Sequence, residues 1–483
     1  MQKAIYSSLS VILLNLLCYT LISQESELNR TNHWFFGDSC HVDFSGETPV
    51  AYNDGSLYTL EGCSAISDLY GNLLFYTDGM RVYDAQNEQM PNGYGLHGEF
   101  SSLNSALIVP KPDDSKIYYI FTTPSYGGAG LNYSHMAYSV VDLSLREGLG
   151  DVTLKNIELL PTSAEQLGAV HHKNETDYWV VGHELHNDKF YAFLVTENGV
   201  SQEPVVSEVG VYFQTIYEYS VSGFKFSPSG CKAVSTYANL AMFQIFDFDN
   251  EHGKLFNPIT INIPWPWGAC FSPDCRYLYI GMWDTESISN PGEKIFQFDI
   301  SNTTAESIFA SRKLISQDVA GSQAQMQLAR DGKIYCSIYQ SEYIAVINEP
   351  NNYSHACDFV AEGLYLAGSK SLAGITNFVQ SFVRPKDQYY ADCPLYETIG
   401  ENQSHIARLF PNPFSDKTIL YFNKSWNNVT LTVFDASGKE VFQANNISGD
   451  SYTINRNKLE TGLYILQIQH NGIIIDSIKM LVN

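Results

Sequence analysis

The densest cluster of chemistry-bearing side chains is the segment HHKNETDYWVVGHELHND, which carries His171, His172, His183 and His186 with Trp179 between them. Imidazoles brought together at a surface can hold a ligand or a metal ion near neutral pH. HELH lacks the His-to-His spacing of four that a helical zinc site needs, and the turn at Asn187-Asp188 places it on a hairpin, where side chains three apart need not converge. A structural role is the commoner one for such a group, and a ligand role at a domain mouth stays open beside it; no metal is expected. Four acids far apart in sequence, Glu61, Glu165, Glu184 and Asp284, would suit glycoside hydrolysis if the fold brought two of them together. Trp34, Trp179, Trp265, Trp267 and Trp283 could stack on sugar rings, although rings of this size more often pack in a core. DFDNEHGK from Asp247 begins like a calcium loop but lacks the glutamate at its twelfth position, so it reads as a hairpin turn. No cofactor is expected, calcium being the one candidate. The chain has no GxSxG elbow, P-loop or dinucleotide fingerprint, and GSKSLAG from Gly368 lacks the required spacing.

These residues sit on a repeat. Its unit is an apolar strand, a turn of Asp, Gly, Pro or Ser, a second strand rich in Tyr and Ile, and a further aromatic strand. The clearest copies are FKFSPSGCKAVSTY from Phe224 and ACFSPDCRYLYIGMW from Ala269; their FSP triplets start at Phe226 and Phe271, a period of 45 residues. Looser copies start at Ser64, Ala106, Gly168 and Gln327. A four-stranded propeller blade has this length. Six turns are countable, and the end segments HWFFGDSCHVDF from His33 and SLAGITNFVQSF from Ser371 are expected to complete one more blade together, because unpaired sheet edges invite aggregation. Phe226-Ser227-Pro228 with Gly230, Phe271-Ser272-Pro273-Asp274, and Asp331-Gly332 make the repeat similar to the surface-layer and quinoprotein-like propellers of exported bacterial proteins, over roughly 33–382. Cys275 departs from that pattern where the turn glycine belongs. The expected fold is all-β, a seven-bladed β-propeller over 25–383.

A polar stretch interrupted by Pro385 and Pro394 follows as a linker, 384–408, and a new set of alternating strands fills 409–483 with the turns ASGK and HNG, enough for a small Ig-like β-sandwich. This segment closely resembles the type A C-terminal sorting domain of the type IX secretion system of Bacteroidetes. The resemblance rests on Pro411-Asn412-Pro413-Phe414, on Asp435 with Gly438 and Lys439, on Leu459, Gly462 and Tyr464, and on Lys479. It implies a partnership with the type IX machinery, passage across the outer membrane, cleavage of the domain, and release or attachment to surface lipopolysaccharide.

Lys3, the apolar run from Val11 to Leu21 and the polar exit after it read as a signal peptide over 1–24, and no later stretch has the roughly 20 apolar residues of a membrane span. The formal net charge of -24, from 28 Lys and Arg against 52 Asp and Glu, excludes a phosphate-binding surface and hence nucleic acid as a partner. Without Cys18, eight cysteines remain in a chain bound for an oxidising space; Cys40 with Cys63 and Cys357 with Cys393 are the expected pairings. The expected function is an exported binding protein, secreted or on the outer cell surface, whose propeller mouth meets a glycan, a peptide or an envelope partner. The alternative is a secreted polysaccharide hydrolase or lyase.

Overall fold

Each copy of the repeat folds around the same hairpin turn. In FSPSG, Ser227 N donates to Lys232 O at 2.9 Å and Gly230 N to Ser227 O at 2.9 Å, with Gly230 at a φ of 72°. FSPDC reproduces both bonds, Ser272 N to Tyr277 O and Cys275 N to Ser272 O, with Cys275 at 59°. Ala329 N to Lys333 O and Gly332 N to Ala329 O do the same in the RDG copy, with Gly332 at 79°. The left-handed conformation at one position is what reverses the strand, and glycine supplies it without strain.

The computed structural model describes residues 27–125, 134–213, 222–283, 293–316, 325–385, 407–435, 438–457, 459–470 and 473–483. The expected signal segment, Cys393, Asp284 and most of the expected linker lie outside the described residues. The chain divides into two compact units, 1–396 and 397–483.

Among the described residues, the first unit holds seven small sheets, spanning 33–52, 63–94, 106–160, 167–208, 222–262, 266–314 and 326–365. We number them one to seven. Sheet five shows the common plan: Ser222–Phe226, Lys232–Tyr237, Met242–Asp249 and Lys254–Asn262 pair in chain order as an antiparallel meander. First strands such as Cys63–Ser67, Ala106–Pro110 and Leu167–His171 are buried at every position, whereas last strands such as Phe359–Tyr365 are largely exposed. A strand covered on both faces reads as a continuous apolar run, and one covered on a single face alternates. The first strands of successive sheets lie side by side, so each sheet stands with its first strand innermost.

Apolar clusters join each sheet to the next: one spans sheets two, three and four, others join four to five, five to six and six to seven. Sheet one closes the series. Its Phe35 ring stacks on Tyr76 of sheet two at 3.8 Å between centroids, and its Trp34 meets Tyr335 of sheet seven edge-on at 5.7 Å.

The expectation that both ends share one sheet is corrected here. Sheet one takes all three strands, His33–Phe36, Cys40–Asp43 and Val50–Tyr52, from the N-terminal segment. Thr376–Asn377 instead pairs parallel with Cys63 and Ser64 of sheet two, while Thr376 Oγ1 donates to Phe35 O at 2.8 Å. The returning chain is therefore held between sheets one and two, and 376–383 continues inward, buried at each residue.

In the second unit, strands Ala407–Phe410, Lys417–Asp435, Glu440–Asn455, Gly462–His470 and Ile473–Val482 form one hydrogen-bonded system. The second of these changes register between Tyr421 and Val429. Its first half pairs with Ala407–Phe410 and its second half with Gly462–His470. Leu420 and Ile454 from one part then pack with Val433, Leu466 and Met480 from the other in a single core.

Candidate functional site

The loops that lead into sheets two, three and four meet, Glu61 N donating to Phe100 O at 3.0 Å and Leu103 N to Glu165, and each carries an acid. Glu61 precedes sheet two, Glu99 precedes sheet three and Glu165 precedes sheet four. Glu61 is 5% exposed and Glu165 1%. Glycines make the close approach possible: a methyl group on Gly374 would overlap the Glu61 carbonyl, and one on Gly62 would overlap the Ser105 backbone. Burial holds the Glu61 carboxyl well above the usual carboxylate range, and the neighbouring carboxylates of Glu165 and Glu99 push it the same way. Leu103 N donates to Glu165 Oε2 at 3.1 Å. Asp78, also raised by burial, accepts from Met80 N at 2.8 Å and Arg81 N at 2.6 Å.

Of the four acids that the sequence offered, the fold thus brings Glu61 and Glu165 together. Glu184 is taken up locally, accepting from Tyr191 Oη and Asn187 Nδ2 at 2.6 Å each.

The histidine group is divided by its own hairpin. His171 pairs with Tyr178 at one end and His183 lies at the other end of Tyr178–His183; five residues of strand separate the ends by about 17 Å. His171 is buried, with its backbone N and its Nδ1 each 2.8 Å from Ser381 Oγ; burial, with Arg384 and Arg30 nearby, lowers it to about 3. His183 sits edge-on to Phe190 and Phe213, and burial lowers it to about 3 as well. His172 is near the surface at 3.0 Å from Glu251 O, and His186 is exposed at a φ of 61°. Trp179 Nε1 donates to Asn250 O at 2.8 Å and its ring covers Gly253, so it packs between sheets four and five. Trp34 and Trp267 are buried too. Asp249, in the calcium-like stretch, accepts from Glu251 N and His252 N and meets His252 Nδ1 at 2.9 Å, closing a hairpin turn.

The space inside the first strands is filled. Ser64 Oγ donates to Asn377 O at 2.8 Å, Gln380 Nε2 to Gln327 Oε1 at 3.2 Å, and Lys225 Nζ to Met326 O at 2.6 Å and Gln327 Oε1 at 3.0 Å. Burial lowers Lys225 from its usual value. Sequence reasoning passed over this network, although one signal was present: in FKF a lysine between two core phenylalanines of a first strand must face inward.

The expected disulfides are corrected. Cys231 is disulfide-bonded, and Cys40, Cys63 and Cys357 are free. Cys40 and Cys63 are buried among the aromatics of the closing cluster, and Cys357 lies in the core between sheets six and seven.

In the second unit, the motif residues hold the fold's ends. Asn412 Nδ2 donates to Lys479 O at 2.8 Å and its Oδ1 accepts from Leu481 N at 2.7 Å, fastening the Pro411-Asn412-Pro413 segment to the final strand. Lys439 N donates to Asp435 Oδ1 at 3.0 Å across a turn with Gly438 at a φ of 81°. Tyr464 Oη donates to Glu460 O at 2.9 Å. Asp435, Lys439, Leu459, Gly462 and Tyr464 line one cleft of about 970 Å³. Residues 408–483 match the family model described as the secretion system C-terminal sorting domain. The protein is exported by type IX secretion. The sorting domain directs it to secretion or to the outer cell surface and implies interaction with the type IX machinery. No helix among the described residues is long and apolar enough to cross a membrane.

Comparison with the curated proteins gives no match. Among solved structures, a functionally unknown protein from Desulfotomaculum acetoxidans is similar at 13% identity over 79% of this chain and 94% of its own, with a TM-score of 0.33. Kuenenia stuttgartiensis hydrazine synthase is similar at 10% identity over 73% and 87%, with a TM-score of 0.36.

Proposed function

We propose that the protein is an exported binding protein whose seven sheets act as the blades of a β-propeller, carried outward by an Ig-like sorting domain. A signal peptide over 1–24 and a Bacteroidetes source complete this reading, with release or surface attachment after export. One observation supports binding over catalysis: the acid pair of Glu61 with Glu165 is almost sealed from solvent while 376–383 fills the interior beside it. A general acid must reach its substrate within hydrogen-bonding distance. The ligand class is a glycan, a peptide or an envelope partner.

The convergence of Glu61 and Glu165 is also what a polysaccharide hydrolase would need, so that reading is kept as the second. The test is a screen of the purified protein against glycans and polysaccharides, scored separately for retention and for released product. Retention without product is expected. Product formed by the wild type and abolished in Glu165→Gln would replace binding with hydrolysis.

A further inference from the structure

Three successive copies of the hairpin turn, whose side chains have no part in the acid cluster, surround a cleft of about 380 Å³. They are the turns of sheets two, three and four, contributing Leu69, the run from Pro110 to Ser115, and Glu175 with Thr176. Tyr118, Tyr178 and His171 form its floor together with Arg30 from the N-terminal segment. The volume lies at the low end of the range for small-molecule sites, about 300–1,000 Å³.

The lining chemistry narrows the occupant. Arg30 Nε donates to Glu27 Oε2 at 2.8 Å and lies against the Tyr118 and Tyr178 hydroxyls. Lys111 Nζ meets Asp114 at 3.5 Å, and Arg384 meets Glu175 at 3.2 Å. Each cation is thus matched by a carboxylate, and Asp113 adds a further negative charge at the rim. An anionic ligand has no surplus cation to meet. What the cleft does offer is a dense set of fixed donors and acceptors, the complement of hydroxyl groups that both give and receive hydrogen bonds.

A second, independent feature is the residue that follows Leu69 in the chain. Tyr70, next to Leu69 in the turn, is 88% exposed. Its turn is rigid, because the Asp68 carboxylate accepts from Tyr70 N at 2.8 Å, Asn72 N at 2.9 Å and Asn72 Nδ2 at 2.9 Å. A large aromatic ring held out in water on a fixed turn presents a face suited to the apolar face of a pyranose. We propose that this cleft binds the end of a neutral hexose glycan, Tyr70 stacking on one ring while the exposed Ser115 and Thr176 and the paired carboxylates hold the hydroxyls of the next.

The inference rests on the binding reading above and locates it. The experiment is calorimetric titration of the full chain with neutral gluco-, manno- and galacto-oligosaccharides, with oligogalacturonate of equal length, and with a Lys-rich peptide. At least one neutral series is expected to bind, with little binding of oligogalacturonate. Tyr70→Ala and Thr176→Val, both at exposed positions, are each expected to weaken binding about tenfold with unchanged thermal unfolding. Unchanged affinity in both variants would overturn the cleft and leave glycan binding elsewhere on the protein. Preference for oligogalacturonate or the peptide would overturn the ligand class, and absence of binding by every probe would overturn the inference together with the glycan form of the binding reading.

Discussion

A carboxyl group as enclosed as Glu61, with the carboxylates of Glu165 and Glu99 beside it, opposes its own ionisation, and the fold carries the consequence. Its native pKa is raised, so the folded state holds a proton that the unfolded chain gives up; stability is full below the unfolded value and is lost as pH rises through the folded one. Replacing it with glutamine keeps the neutral shape and removes that loss. Glu61→Gln is expected to raise the urea midpoint at pH 8, by a stability gain of about 1–3 kcal/mol, the usual penalty for a poorly satisfied buried polar group. At pH 4 the gain should vanish; an equal gain at both pH values would show that Glu61 does not titrate as argued. Gly374→Ala acts on the same site sterically: the new methyl overlaps the Glu61 carbonyl, and overpacking of about 1–3 kcal/mol or more is expected in chemical denaturation. Sequence offered Glu61 and Glu165 among four scattered acids and could not choose them. What selects them is the side-by-side placing of the loops before sheets two, three and four, which no local pattern encodes.

At the scale of elements, the hairpin turn was legible because each of its requirements is local. A left-handed residue, a preceding Ser, Asp or Pro, and flanking apolar strands all fall within a few positions, so the copies at Gly230 and Gly332 stand out in the chain. Even the departure at Cys275 keeps the geometry, with its φ of 59° in place of a glycine's. Gly332 isolates the conformational contribution, since a methyl group there meets nothing within 4 Å. Gly332→Ala is expected to cost about 1–2 kcal/mol by denaturation, the strain of a side chain in the left-handed region; a loss near zero would mean that the turn relaxes without it. The closure was not legible. Thr376–Asn377 is two polar residues long, too short for any periodicity, and its partner strand lies more than 300 residues earlier, as the bond from Ser64 to Asn377 shows. Lys225 was hidden for a related reason: its acceptors, Met326 O and Gln327 Oε1, belong to another sheet about a hundred residues on.

For the first unit as a whole, buried ionisable groups set the pH range in which it is stable, and the two histidines buried in sheet four govern the acid side. His171 and His183 are each lowered to about 3, against an unfolded value of 6.5. Between those values the unfolded chain binds protons that the folded one refuses, so stability falls as pH drops below 6.5 and continues to fall until about 3. From pH 7 to pH 5 each histidine costs about 2 kcal/mol, a size that follows from about 1.4 kcal/mol per unit of displacement. Glu61 works in the opposite direction on the alkaline side, so the two effects place an optimum near neutrality. His183 is the better probe of the acid limb, because its ring contacts are aromatic and phenylalanine keeps them. His183→Phe is expected to lose about half of the wild-type drop in unfolding free energy between pH 7 and pH 5, measured by urea titration, with a smaller change at pH 7. If the variant and the wild type fall in parallel, proton uptake by His183 does not limit the fold in acid, and the loss must come from carboxylates such as Asp43 and Asp299, whose folded values are depressed. Those groups hold their stabilisation above their unfolded values and release it only as pH falls through the folded ones, so their signature begins below about pH 4 and separates from the histidine limb within the same titration.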